Sequence, residues 1–325
     1  MILVTGGAGY IGSHMVKMLR EHSRNVLVLD DLSTGFEDAL LGVRFARGSI
    51  GDRALLDRIF AENQIQAVMN FASFIAVGES VTRPDSYYLN NVANTLVLLN
   101  AMQRHRVRRF IFSSTAAVYG NPESVPLDES HAKLPINPYG RSKWMIEQVL
   151  EDFQAAFGFE SVCLRYFNAA GADPQGQLGE RHDPETHLIP LVLQAASGRR
   201  EAISVFGDDY DTPDGTCIRD YIHVQDLCAA HLLALDHLLA GGKSKRYNLG
   251  NGEGFSVKEV IDVARTVTQR PIDVRVQPRR AGDPPRLIAD SRLIRTELNW
   301  RPEFADLATM VAHAWAWERR LTPYA

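Results

Sequence analysis

The chain has 325 residues, with a hydrophobic fraction of 45% and a charged fraction of 23%. That is ordinary for a soluble globular protein, and long enough to bury a core without staples. Its formal net charge of −4 gives no field for nucleic acid or an anionic membrane, so neither is expected as a partner, and a phosphorylated ligand needs local cations.

Short apolar runs alternate with longer amphipathic segments through the first half. Ile2–Thr5 reads as a strand, followed by a helix over Ile11–Glu21. Strands are expected at Val26–Asp30 and Val43–Ala46, then a helix at Ala54–Glu62. The strand Ala67–Phe71 leads to a helix from Ser86 to His105. Phe110–Ser113, a helix over Tyr139–Phe157 and the strand Val162–Phe167 complete the series. Such alternation implies an α/β fold: a doubly wound parallel sheet of the Rossmann kind, with ligands beyond the C-terminal strand ends.

Beyond Phe167 the pattern loosens. Gly171–His187 and Asp208–Gly215 read as loops. Two helices stand out, Ser256–Thr268, opened by a Ser256/Glu259 capping box, and Asp306–Arg320. The expected division is a dinucleotide-binding domain over 1–168, with a returning segment near 217–240, and a smaller, loop-rich α/β substrate domain over 169–325.

The first turn, Val4-Thr5-Gly6-Gly7-Ala8-Gly9-Tyr10-Ile11-Gly12, sets glycines at 6, 9 and 12 between strand and helix. Glycine there permits a tight turn, a close backbone approach to a pyrophosphate, and close helix packing. Three glycines alone are a weak signal. Asp30 strengthens it, because an acid ending the second strand accepts hydrogen bonds from the adenosine ribose. It also repels a 2′-phosphate, so NAD is expected rather than NADP. Asp31 beside it has a plainer reading as a solvated turn residue.

Tyr139 and Lys143 stand four apart on one helix face, behind Pro138. A free phenol is a poor base at neutral pH. A neighbouring ammonium, and the positive charge of bound NAD, favour the phenolate. Ser113-Ser114-Thr115 end the preceding strand, where chemistry is expected, although turn capping is the bland reading. Glycine turn, strand-end acid, hydroxyl cluster and Tyr/Lys pair together carry the chemistry of a hydride-transfer site.

On these motifs the sequence resembles the extended short-chain dehydrogenases, and among them the UDP-glucose 4-epimerases. Further blocks carry the likeness across nearly the whole chain. They are Val77-Gly78-Glu79-Ser80, Phe112-Ser113-Ser114-Thr115-Ala116-Ala117-Val118-Tyr119-Gly120, Leu164-Arg165-Tyr166-Phe167-Asn168, Arg219-Asp220-Tyr221-Ile222-His223-Val224, Tyr247-Asn248-Leu249-Gly250 and Arg279-Arg280-Ala281-Gly282-Asp283.

The resemblance implies Tyr139 as acid/base, Lys143 as its partner and Thr115 as hydroxyl helper. It implies a cofactor set of Gly6, Gly9, Tyr10, Ile11, Gly12, Asp30, Asp31, Ser49, Ile50, Phe71, Ala72, Asn90, Ser113, Tyr139, Lys143 and Phe167 around NAD. Thr115, Tyr139, Asn168, His187, Leu188, Arg219, Arg280 and Asp283 would hold the UDP-sugar. The implied reaction is 4-epimerisation of UDP-glucose and UDP-galactose. Hydride leaves sugar C4 for bound NAD+, the 4-keto sugar rotates, and hydride returns to the other face. Plainer readings are a surface ion pair for Arg219-Asp220 and a solvated charge run for Arg279-Arg280.

Some positions depart from the family pattern. Gly48-Ser49-Ile50 replaces Gly-Asp-Ile, which moves the adenine contact to Ser49 or Asp52. Ile75 stands where a lysine is usual, and His187 where an asparagine is usual. Leu287 falls at the gate beside the sugar 2-position. Leucine is smaller than a bulky aromatic, which leaves UDP-GlcNAc/GalNAc conversion as an alternative; 4-epimerisation of a UDP-uronate or UDP-pentose is a further one. An NAD-binding sensor without turnover is the alternative of another class, and the intact Tyr139/Lys143/Thr115 set argues against it. Ala116-Ala117 lack the acids a 4,6-dehydratase needs.

No metal is expected, because the spacing of His182 and His187 fits no common zinc pattern. His223 reads as structural. Cys163, Cys217 and Cys228 lie far apart and read as reduced thiols; with no signal peptide or membrane span visible, a cytoplasmic location is expected. A homodimer through Asn91–His105 and Tyr139–Phe157 is expected from the resemblance, with Val97, Leu98, Met102, Trp144 and Val149 as its apolar content.

Overall fold

A computed structural model describes residues 1–280 and 283–321. Seven parallel strands form one sheet in the order 245–249, 160–166, 109–115, 67–70, 2–5, 26–30 and 45–47. The order reverses beside Ile2–Thr5, which pairs with Val26–Leu29 on one side and Ala67–Asn70 on the other.

The central strands are buried end to end. Alternate side chains enter opposite cores. Ile2 and Val4 join Val16, Leu19, Leu227 and Leu235 on one face. Leu3 joins Leu56, Leu99, Phe110 and Ile146 on the other. Helices therefore cover both faces, as continuous apolar strands require.

Helix Pro138–Phe157 shows how local signals place the site. The Asn137 side chain accepts from Gly140 N–H at 2.8 Å, and Pro138 occupies the first turn. Gly158, in the left-handed region, ends it. A Cβ on Gly140 would meet the Ala117 carbonyl oxygen at 2.5 Å. Only glycine lets this helix start lie against the turn after Thr115.

Several elements differ from the sequence expectation. The third strand is Phe45–Arg47. The segment expected as one helix from Ser86 to His105 is helical from Pro84 to Arg104, but Tyr88–Ala93 is wound as π-helix. Helices Leu188–Ala196 and Val224–Leu239 were not expected as such. Val224–Leu239 is buried along most of its length. A helix apolar on most sides shows only a weak period. The chain then returns to the sheet at Lys245–Leu249, which pairs with Val162–Tyr166. The return thus runs past the expected limit of 240.

The capping box at Ser256 and Glu259 forms as expected. Its helix, Val257–Thr268, packs with Leu188–Ala196 and Leu307–Leu321 around Val192, Leu193, Val260, Ile261, Met310 and Val311.

Candidate active site

The glycine turn closes between the first strand and helix Tyr10–Glu21. A Cβ on Gly6 would lie 2.4 Å from Ala72 N, and one on Gly12 2.1 Å from the Gly6 carbonyl oxygen. Those two glycines are demanded by the backbone itself. Gly9 is different, since its added Cβ would meet nothing nearer than 3.5 Å. Its missing side chain leaves room in front of the helix, whose first-turn N–H groups have no partner within the helix and are suited to an anion.

Asp30 holds this turn from behind. One carboxylate oxygen accepts from Ala8 N–H at 2.9 Å and the other from Leu32 N–H at 2.8 Å. Burial pushes its carboxyl up, and those N–H groups pull it back. Each oxygen keeps a lone pair for a ribose hydroxyl. Asp31 accepts from Ser33 N–H at 2.9 Å at an exposed turn. Ser49 Oγ accepts from Gly51 N–H at 3.1 Å, and Ile50 is buried. Asp52 caps the next helix through Leu55 N–H at 3.0 Å, so each of the two groups expected near the adenine already accepts one backbone N–H. Together these residues make a cradle that fits a dinucleotide. Tyr10 instead sends its hydroxyl to the Gly171 carbonyl at 2.7 Å, tying the turn to the second half; Ile11 beside it is half-buried.

Phe71 and Ala72 follow the fourth strand, and Ile75 further along the same segment is exposed. This loop is pinned by Asn91, a buried residue that sequence reasoning missed. Its amide accepts from Phe74 N–H at 2.9 Å and donates to Phe74 O at 3.0 Å and Ser142 Oγ at 3.1 Å. Asn90 donates to Asn91 at 3.1 Å. Both sit in the π-wound stretch, a form often found at functional sites.

Lys143 is almost wholly buried. Its ammonium donates to Ser113 O and to Ser73 Oγ, both at 2.8 Å. Tyr139 is also buried, with its ring centroid 6.0 Å from Lys143 Nζ. Burial lowers Lys143 to about 7. Burial also pushes the Tyr139 phenol up, while its hydrogen bond with Thr115 pulls the other way. Bringing that phenol into working range calls for positive charge beside it. Ser113 Oγ is hydrogen-bonded to Tyr166 OH.

Behind this pair runs a buried polar network. Ser114 Oγ donates to Glu147 at 2.6 Å, and Glu147 takes both arms of Arg165, at 2.9 and 2.5 Å. Arg165 donates to Tyr119 OH at 2.9 Å, and Tyr119 donates to Asn248 Oδ1 at 2.6 Å. The network joins the hydroxyl-bearing strand end to the returning strand. Arg165 and Asn248 lay in the family blocks, but nothing in the sequence signalled Glu147.

Arg219 does not pair with its neighbour Asp220, as a surface pair would; it pairs with Asp283. Asp220 is fully buried and accepts from Asn251, Gly252 and Ala289 N–H at 2.8, 3.1 and 3.0 Å. Burial raises it to about 6 against those bonds. Asn168 Nδ2 donates to Asp220 O at 3.0 Å. Leu287 stands opposite Arg219 in register and packs with Phe167 and Trp144 against Val118, Tyr119 and Leu127. The Arg280 guanidinium lies 3.8 Å from the Phe206 ring centroid, and Arg279 bonds Asp209 at 2.6 Å. Ala281 and Gly282 of that block lie outside the described residues.

His187 precedes the half-buried Leu188 at a helix start. Its Nδ1 lies 2.9 Å from Glu180 and 3.0 Å from Glu185. Burial opposes its charge, but the two acids prevail and hold it at about 10. Its backbone N–H donates to Glu185 at 2.9 Å and its carbonyl accepts from Leu191 N–H at 3.1 Å, so contact with a sugar nucleotide is left to Nε2. His223 is buried, caps the following helix through Gln225 N–H at 3.1 Å, and meets His313 at 3.0 Å. The three cysteines are free and buried. Among the described residues no helix is long and apolar enough to cross a membrane.

Comparison with known proteins agrees with this geometry. Residues 2–250 match the NAD dependent epimerase/dehydratase family. A UDP-glucose 4-epimerase of Halalkalibacterium halodurans is 55% identical over 98% of this chain and 95% of its own. A crystal structure of a UDP-glucose 4-epimerase superposes with a TM-score of 0.97 at 51% identity, covering 100% of this chain and 98% of that one. The Bifidobacterium longum UDP-glucose 4-epimerase in complex with NAD+ and UDP gives 0.93 at 40% identity, over 99% and 98%. The cofactor of this chain is NAD. With a glycine turn, a strand-end acid and a buried Tyr/Lys pair on one sheet edge, the chain belongs to the NAD-dependent epimerase/dehydratase family, in its branch of UDP-glucose 4-epimerases.

Proposed function

We propose that the chain interconverts UDP-glucose and UDP-galactose by inverting sugar C4. The observation that carries the mechanism is the burial of Tyr139 beside the buried Lys143, its ring centroid 6.0 Å from that ammonium. Tyr139 takes the proton of the C4 hydroxyl, and Thr115 holds the same oxygen. Lys143, anchored on Ser113 O and Ser73, steadies the phenolate and the cofactor ribose. When bound, NAD+ supplies the hydride acceptor and a positive charge beside the phenol. Arg219 and Arg280 meet the diphosphate with guanidinium groups, and Asp283 meets the uridine ribose. Asn168, His187 and Leu188 complete the sugar-nucleotide contacts. The 4-keto sugar turns about its diphosphate anchor, and Tyr139 returns the proton. Residues 1–168 with the return through 217–249 serve NAD, and the remainder serves UDP-sugar.

The test is Tyr139→Phe. Turnover of UDP-galactose should fall about 10²–10⁴-fold, while UDP binding by calorimetry stays unchanged. A variant that keeps full turnover overturns the assignment.

Leu287 supports a second reading. It packs beside Phe167 and opposite Arg219 without the bulk of an aromatic side chain, which leaves space for a 2-acetamido group and hence UDP-GlcNAc/GalNAc. A homodimer through the helices at 94–104 and 138–157 is also proposed. Leu98 and Met102, expected on that face, are fully buried in the chain's own core. The exposed Met145, on the helix at 138–157, supports the contact instead. Buried free cysteines fit a reducing cytoplasm.

A further inference from the structure

The loop before helix Leu188–Ala196 contains two copies of Glu-x-His, namely Glu180-Arg181-His182 and Glu185-Thr186-His187. Judged by the histidines alone, the spacing suits no zinc pattern. Folding brings both acids into the same cluster. One ligand atom from each of the four residues can be chosen so that all lie within 4.8 Å of one another. Glu180 and Glu185 expose only 7% and 4% of their side chains, and among the described residues their ion-pair partners are these histidines alone. Arg181 between them points away to Asp38, at 2.5 Å.

His182 supplies an independent observation. Its Nδ1 is buried and makes no hydrogen bond. Yet it stands 3.3 Å from Glu180 Oε1 and 3.4 Å from Glu185 Oε2. The distances are close, but the angles do not make a bond. That nitrogen lies within 3.4 Å of a carboxylate oxygen of each acid. A tetrahedral ion with bonds of about 2.0–2.1 Å sets its ligand atoms about 3.3–3.4 Å apart. His187 Nδ1, at 2.9 and 3.0 Å from the same two acids, needs only a small outward shift.

We propose that Glu180, His182, Glu185 and His187 bind one divalent transition-metal ion of the zinc class. Two imidazole nitrogens and two carboxylate oxygens suit a borderline ion over calcium or magnesium, which prefer oxygen alone. Four protein ligands close the coordination sphere, the mark of a structural ion. It has something to hold. The His182 ring meets the Tyr10 ring edge-on at 6.5 Å between centroids, and Trp317 Nε1 donates to Glu180 O at 3.0 Å. The ion clips the loop to the start of the dinucleotide helix and to helix Leu307–Leu321. The competing arrangement is a pair of imidazolium–carboxylate contacts with no ion.

The experiment uses the tag-free full chain, treated with chelator, desalted and titrated with zinc chloride by calorimetry. One ion per chain is expected, with Tm rising about 4 °C at 100-fold excess over Kd. Cobalt(II) in place of zinc should give an intense visible band from four-coordinate geometry. The double variant His182→Asn/Glu185→Gln, outside the proposed catalytic and UDP-sugar residues, should lose affinity at least about 100-fold with an unchanged circular dichroism spectrum. Should that variant fail to fold, the cobalt spectrum of the unmutated chain decides. Absence of uptake at micromolar zinc, a weak octahedral cobalt band, or undiminished uptake by the folded variant overturns the proposal.

Discussion

Lys143 donates from a buried ammonium to the Ser113 carbonyl oxygen at 2.8 Å, tying helix Pro138–Phe157 to the end of the strand that carries Thr115. The same bond fixes the height of Tyr139, one helical turn back, above the hydroxyl cluster.

Removing that charge should be felt in rate and in pH dependence. Lys143→Met should lower kcat about 10²–10⁴-fold. It should also move the acid limb of the rate profile to higher pH, because a neighbouring cation favours the phenolate. Stability should respond too. Burial lowers Lys143 from 10.5 to about 7, so the folded state favours the neutral amine. Its unfavourable contribution below about 7 should lift as pH rises toward 10.5, and the variant should lack that slope. Rate profiles and urea melts across the range check both.

Asp220 should give the opposite slope. Burial raises it from 3.8 to about 6, so the protonated form is favoured in the fold. Its contribution is fully present below 3.8 and is lost as pH rises through about 6. The span is about 3 kcal/mol. Denaturant titrations of the native chain against Asp220→Asn at several pH values should show this slope only in the native chain. The variant should also be destabilised by about 1–3 kcal/mol near neutrality, since an amide cannot accept all three N–H groups.

Glu147→Gln should cost about 3–5 kcal/mol, because Arg165 would remain charged and buried without its partner. Glu147→Leu with Arg165→Met should cost much less than the two single changes summed. Chemical denaturation with a double-mutant cycle measures the difference.

Leu287→Tyr should separate the two substrate readings. If the gate lies here, turnover of UDP-GalNAc should fall at least about 10-fold while UDP-galactose is spared. Equal losses on both would place the gate elsewhere.

The first half of the chain was legible because its signals are local. Gly6, Gly9, Gly12 and Asp30 sit at fixed distances around one turn, and Tyr139 and Lys143 are helix neighbours. Asn137, Pro138 and Gly158 mark their helix end to end. Asn91, Ser73 and Glu147 were not legible, because each gains its meaning from a partner far along the chain. Val224–Leu239 was obscured by being apolar on most sides, and Leu188–Ala196 by lacking a side-chain cap at His187. Leu98 and Met102 show the same limit, since apolar content does not say whether a side chain faces inward or a second subunit.

The late return of Lys245–Leu249 to the edge of the sheet has a consequence for how the protein is made. On the ribosome, residues 1–168 emerge with the strand Glu160–Tyr166 still a bare margin, its Val162 and Leu164 ready to pair with any passing strand. Some eighty more residues must be synthesised before that margin is sealed. A fragment ending at 168 should therefore clump rather than fold, and the nascent chain has reason to need a chaperone until Leu249 has left the exit tunnel.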